Sequence, residues 1–194
     1  MITHIDLLRH GETEYHQRYC GSADHPVSPQ GWAQMWREAA QAGSSWQRIV
    51  ASPLIRCAAF AQALGQLHSI PVTYDARLRE IHFGAWENQS AADLMHTQAE
   101  ALACFWRNPV HFPPPQGERL FDFQSRVLAA WNEIVTQFAG QSILLITHGG
   151  VIRVIRCHIQ QHPLERLLEL EVKHAEMHRI SISSTALTTD SPAL

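Results

Sequence analysis

Arg9-His10-Gly11-Glu12-Thr13 follows directly on the run Ile5-Asp6-Leu7-Leu8. A histidine beside an arginine at the exit of a buried strand is suited to attack phosphorus while its neighbour grips phosphate oxygens. Three further strand-like runs end in a similar way, at Ser52-Pro53-Leu54-Ile55-Arg56, at Leu78-Arg79-Glu80 and at Thr147-His148-Gly149-Gly150. Together they offer a nucleophile, a clamp, an acid and a second imidazole.

Phosphate monoesters hydrolyse very slowly unaided, so a catalyst must align the phosphoryl group with a nucleophile and neutralise its oxygens. Arg9 and Arg56 carry planar forks that match phosphate bidentately, and helix N-termini at Pro53 and Gly149 are expected to add amide donors. His10 must be neutral at the attacking nitrogen, which a group of reference pKa about 6.5 achieves if its other ring nitrogen donates to a backbone carbonyl. His148 is assigned the opposite state, an imidazolium touching the transferring group. Glu80 is the candidate proton donor to the leaving alkoxide and then the base that activates water, with Ile81, Phe83 and Trp86 expected to supply an apolar setting. Glu12 and Glu87 compete for that role. The plainer alternatives are a satisfied core histidine for His10 or His148, and a surface carboxylate pairing with Arg77 or Arg79 for Glu80. Glu118, in Gln116-Gly117-Glu118, is a candidate substrate contact, although an acid in a first helical turn needs no functional reason. The tryptophans read as core, with Trp86 beside Glu80 the one that could face a pocket. Neither a P-loop nor GxGxxG is present.

These residues need a scaffold that gathers strand ends. Residues 4 to 9 read as a buried strand, and Ser28-Pro29 supplies the cap and first turn of a helix ending near Gly43. A strand over 48–51, a helix capped by Ser52-Pro53 and running to about Gly65, and a strand over 71–74 follow. Residues 119–138 place Leu120, Phe123, Val127, Ala130, Trp131, Ile134 and Phe138 at spacings of three and four, the mark of one buried helical face. Gly140 ends that helix, 142–147 is a strand, and Gly149-Gly150 opens a helix to about His158. Residues 177–183 read as an edge strand, with the last ten loose. Such alternation predicts an α/β fold, three layers with a mainly parallel central sheet between helices. In such sheets ligands sit beyond the carboxyl ends of the strands, where His10, Arg56, Glu80 and His148 all fall. Residues 78–117 break the rhythm and read as a helical and irregular lid insertion, helical around 91–106, within a single domain spanning 1–194.

The chain has 194 residues, 45% hydrophobic and 17% charged, with a net charge of -3, so no basic field invites nucleic acid. Any anion must be caught locally. Four cysteines without CxxC spacing read as reduced thiols. The N-terminus lacks a basic segment followed by a long apolar stretch, and no run approaches the roughly 18 apolar residues of a membrane span, so a cytoplasmic protein without membrane contact is expected. Thirteen histidines raise the question of a metal. Pro163 closes the segment holding His158 and His162, while His174 and His178 fall in a strand-like stretch that would hold them roughly 13 Å apart. Neither metal nor cofactor is therefore expected.

On these motifs, joined by Cys20-Gly21, Pro26-Val27-Ser28-Pro29-Gln30-Gly31 and Glu80-Ile81-His82-Phe83-Gly84-Ala85-Trp86-Glu87, the chain resembles the histidine phosphatase superfamily, which includes the phosphoglycerate mutases. The resemblance implies a phosphoglycerate mutase-like fold, His10 as the phosphohistidine nucleophile, Arg9, Arg56 and His148 as the phosphate pocket and Glu80 as proton donor. Within the superfamily the chain looks most like the alpha-ribazole phosphatases, which implies a small phosphomonoester, alpha-ribazole 5'-phosphate, as substrate. It also adds Cys20, Gly21 and His16 to the candidate substrate contacts, together with Gly149. Many relatives carry Asn where this chain has His16, an imidazole that donates one hydrogen bond and gains charge below neutral pH. A mutase is less favoured, because relatives with that activity usually have longer insertions. A phosphoprotein-binding module without turnover is the alternative of another class, and the pairing of His10 with Glu80 speaks against it. A homodimer is left open.

Overall fold

The computed structural model describes residues 1–15, 18–43 and 45–183. Strands β1 (Ile2–Arg9), β2 (Arg48–Ala51), β3 (Val72–Tyr74), β4 (Ser142–Thr147) and β5 (Met177–Ser183) form one sheet in the order β3-β2-β4-β1-β5. All neighbouring pairs are parallel except β1 with β5, which closes the edge antiparallel. The helices are α1 (Pro29–Ala42), α2 (Ile55–His68), α3 (Ala91–Thr97), α4 (Ala99–Arg107), α5 (Leu120–Gln137) and α6 (Gly149–Gln160).

Successive strand residues face opposite sides of a sheet, so each strand feeds two cores. Ile5, Leu7, Val50, Ile143 and Leu145 pack with α5 and α6 through Phe123, Val127, Trp131, Val151 and Ile155. Leu8, Ile49, Ala51, Leu144 and Ile146 pack with α1 and α2 through Met35, Phe60 and Leu64. This is the three-layer arrangement that the alternating pattern predicts. Asp6, a carboxylate inside the apolar run of β1, accepts the Trp46 indole N–H at 2.8 Å and pairs with Arg179 at 2.8 and 3.0 Å. Buried charge is tolerable only when paired in this way.

Two boundaries differ from the sequence reading. α2 begins at Ile55, not at Ser52-Pro53, and runs beyond Gly65 to His68. Ser52 instead forms a local turn, its hydroxyl accepting from the Leu54 N–H at 3.3 Å. The first amide of α2, at Ile55, is capped from outside by Asp24 at 2.6 Å. The helix N-terminus expected to serve phosphate is therefore occupied by a carboxylate, the same dipole logic satisfied within the protein. His174 also departs from the strand reading, lying in the turn before β5.

Residues 78–117 hold more order than an irregular insertion. A Ser90/Asp93 capping box starts α3, and Trp86, Leu94, Leu102 and Phe105 build a small core of their own. Trp86 is wholly buried there and gives its indole N–H to Gln98, so it belongs to this core and not to a pocket. The expectation for the last ten residues, 185–194, lies outside the described residues, as does His16.

Candidate active site

β1 and β4 are neighbours, so their carboxyl ends deliver His10 and His148 side by side. The His10 N–H donates to the Thr147 carbonyl at 3.0 Å, and the two imidazoles stand 5.2 Å apart, edge to face. A cavity of about 360 Å³ opens above them, lined by Arg9, His10, Cys20, Glu80 and Gly149 among the residues expected from sequence.

His10 is nearly buried, and its Nδ1 lies 2.8 Å from the Gly11 carbonyl. A carbonyl only accepts, so Nδ1 carries the proton and Nε2 keeps its lone pair. Burial, followed by the neighbouring guanidinium groups of Arg56 and Arg9, holds its pKa well below the ordinary histidine value. The ring is a neutral base with one nitrogen committed and one available.

Arg9 donates through Nη1 to the Val172 carbonyl at 2.7 Å and through Nη2 to His174 Nε2 at 2.9 Å. Its Nε is buried with no hydrogen-bond partner among the described residues. Burial lowers its pKa to about 10, which still leaves it charged at neutral pH. An unpaired buried donor of this kind costs about 1–3 kcal/mol, and a phosphate oxygen would satisfy it.

Arg56 and His148 differ from the roles read in sequence. Arg56 donates to the carbonyls of Cys20, Gly21 and Ala23 at 2.8–3.1 Å, and its Nε donates to His148 Nδ1 at 3.2 Å. Of five guanidinium N–H groups, one Nη1 hydrogen is left, so a bidentate grip on phosphate is not on offer. His148 accepts at Nδ1, so its proton sits on Nε2 and points to the Ser52 hydroxyl at 2.8 Å. It is fully buried, and burial together with Arg56, His10 and Arg9 pushes its pKa well below the ordinary value. The expected imidazolium is here a neutral ring. Both residues are buried and neither lines the cavity; together they fix the 20–23 loop to the end of β4.

Glu80 enters from the loop after β3. Its carboxylate accepts the Gly150 N–H at 3.0 Å and the Ile81 N–H at 3.1 Å, taking the first turn of α6 as its anchor. A Cβ on Gly150 would run into this carboxylate. Of the competing acids, Glu87 is committed elsewhere, accepting from the amides of Gly21, Ser22, Ala23 and Phe83, whereas Glu12 lines the cavity and accepts from the Gln34 amide at 3.1 Å through Oε1. Gly21 lies buried behind the cavity, where a Cβ would strike the Ile81 carbonyl. Glu118 also lies outside the cavity, its two oxygens taken by Arg126 at 2.7 and 2.8 Å.

Sequence reasoning missed several lining residues, Arg18, Tyr19, Arg153 and His174, whereas Phe83, expected beside Glu80, does line the cavity. Arg153 carried a usable signal, because it follows Gly149 by four residues and so shares its helix face. His174 was considered only as half of a metal pair.

The chain matches the model of the histidine phosphatase superfamily (branch 1) over residues 5–191. It belongs to the histidine phosphatase superfamily. This phosphatase is 32% identical to a glucosyl-3-phosphoglycerate phosphatase of Mycolicibacterium vanbaalenii, over 84% of its own chain and 77% of the relative. It is 28% identical to the adenosylcobalamin/alpha-ribazole phosphatase of Salmonella typhimurium, over 91% and 89% of the two chains. Among solved structures it resembles Bacillus stearothermophilus YhfR with a TM-score of 0.87 at 29% identity, covering 94% and 92% of the chains. No helix of the described residues is long and apolar enough to cross a membrane.

Proposed function

We propose that the phosphatase hydrolyses a small phosphorylated metabolite through a phosphohistidine at His10, with alpha-ribazole 5'-phosphate as the first candidate substrate. The observation that carries this reading is the neutral His10 whose Nδ1–H is held by Gly11, which leaves Nε2 as the only ring nitrogen free to attack. Arg9 receives the phosphoryl oxygens through its unpaired Nε. Arg56 adds its one remaining Nη1 hydrogen, and a phosphate dianion brought beside His148 favours protonation of that ring. As the bond from Nε2 to phosphorus forms, the bond from phosphorus to the alcohol oxygen breaks, and Glu80 gives that oxygen its proton. The carboxylate then takes a proton from water as the water oxygen attacks phosphorus and the bond from phosphorus to Nε2 breaks, releasing inorganic phosphate and restoring neutral His10. Residues 78–117 act as the lid of a single domain, with Phe83 and Tyr19 supplying apolar flanks to the leaving group.

Rapid quenching after mixing with a phosphorylated substrate is expected to yield an acid-labile, base-stable label on His10. A label elsewhere, or none while product forms, would refute the covalent route. Arg18 and Arg153, which line the same cavity, favour a second reading in which the substrate carries a further negative charge. A panel of alpha-ribazole 5'-phosphate, glucosyl-3-phosphoglycerate and 3-phosphoglycerate, each ranked by kcat/KM, separates the two. Turnover of 3-phosphoglycerate that depends on added 2,3-bisphosphoglycerate would instead make the protein a mutase.

A further inference from the structure

The loop that presents Glu80 belongs to no strand or α-helix, so its carbonyls need partners from elsewhere. They find them in one side chain. Arg126 of α5 donates through Nη1 to the carbonyls of Arg77 and Arg79, both at 2.7 Å, and through Nη2 to that of Glu80 itself at 3.1 Å. The same guanidinium stands 4.7 Å over the Phe123 ring and forks onto Glu118 at 2.7 and 2.8 Å. Glu118 in turn accepts the His82 N–H at 3.2 Å, and the Glu118 N–H donates to the His82 carbonyl at 2.8 Å. From the opposite side the Thr147 hydroxyl holds the Leu78 carbonyl at 2.9 Å.

We infer that Arg126, oriented by Glu118, is a positioning residue that sets the Glu80 carboxyl for proton transfer to the leaving group. The inference rests on the reading of Glu80 as the acid. Neither residue of the pair lines the catalytic cavity, so their action passes through the backbone of residues 77–82. The chemistry explains why an arginine stands here. Only a planar five-donor fork can hold three carbonyls and both oxygens of one carboxylate at once, which a lysine cannot do. It also gives Glu118 a purpose as the group that fixes the fork's rotation.

The test compares kcat/KM for an aryl phosphate, p-nitrophenyl phosphate, with that for an alkyl phosphate, glycerol 3-phosphate, because this ratio reports the steps up to alcohol release. A displaced acid harms only the leaving group that needs a proton. R126K is expected to lose about 10- to 100-fold on the alkyl ester and no more than about threefold on the aryl ester. E118Q should show the same selectivity with a smaller loss, and it carries the test if R126K does not fold in a thermal melt. E80Q is the control. If E80Q discriminates between the esters but the pair variants lose both equally, or lose neither, the positioning role is overturned while Glu80 keeps its own. If E80Q does not discriminate, the acid role of Glu80 falls and the inference falls with it.

Discussion

The phosphate cradle and the arm that carries Glu80 are built on different principles. His10 and His148 stand at the ends of adjacent central strands, where His10 donates to the carbonyls of Thr147 and Gly11, and His148 accepts from Arg56 and donates to Ser52. Glu80 comes from a loop whose position depends on side chains of distant elements, Arg126, Glu118 and Thr147, and on one amide of α6. The cradle is rigid because main-chain pairing is continuous there. The arm is precise only while a few long-range contacts hold, so the two regions should fail differently: damage to the cradle abolishes turnover of every substrate, and damage to the arm shows first in poor leaving groups.

The largest effect expected is for His10→Ala, which removes the nucleophile and should lower kcat on aryl and alkyl phosphates alike by about 10³-fold or more. Steady-state rates on both esters check it, and a variant as fast as its parent on p-nitrophenyl phosphate would break the cradle side of the comparison. Next is Gly150→Ala, whose Cβ would displace the Glu80 carboxylate and also press on Phe123. It should reduce kcat/KM on alkyl esters by about tenfold while sparing aryl esters. An unchanged ratio of the two would mean that the α6 amide does not set the acid.

The smallest effect concerns pH, and it sharpens the cradle side. His10 and His148 have folded-state pKa values well below the ordinary one. Below about pH 6.5 the unfolded chain takes up protons at both rings and the folded protein does not, so stability present above that pH is lost as pH falls. The slope is at most about 1.4 kcal/mol per pH unit for each ring. Thermal melts between about pH 7.5 and 5 should show the decline, and His148→Gln should make it shallower. Over the upper part of that range kcat/KM on aryl phosphates should not fall through protonation of His10, as it would for a histidine titrating at its ordinary value.

Much of this architecture was legible because it depends on short-range pattern. Alternation of apolar strands with amphipathic helices of period 3.6 predicts the layered sheet, and the 119–138 periodicity is realised as α5 with the expected face buried. The start of α2 was misread because Ser52-Pro53 has the composition of a cap, while the actual cap, Asp24, is contributed from 31 residues earlier in the chain. The same limit applies to Arg126, Arg153 and His174, whose importance comes from what they meet in space and not from their neighbours in the chain.

From the sequence alone came the order of strands and helices, the residues at the strand ends and the chemical types able to attack and hold phosphate, since these follow from local periodicity and side-chain chemistry. The protonation of His10 and His148, the commitment of Arg56 to three loop carbonyls, the elimination of Glu87 as the acid and the strut that carries Glu80 were decided only by the tertiary structure. Those properties depend on burial and on hydrogen-bond partners far apart in the chain, and a guanidinium or an imidazole has no fixed role until the fold has chosen which acceptors surround it.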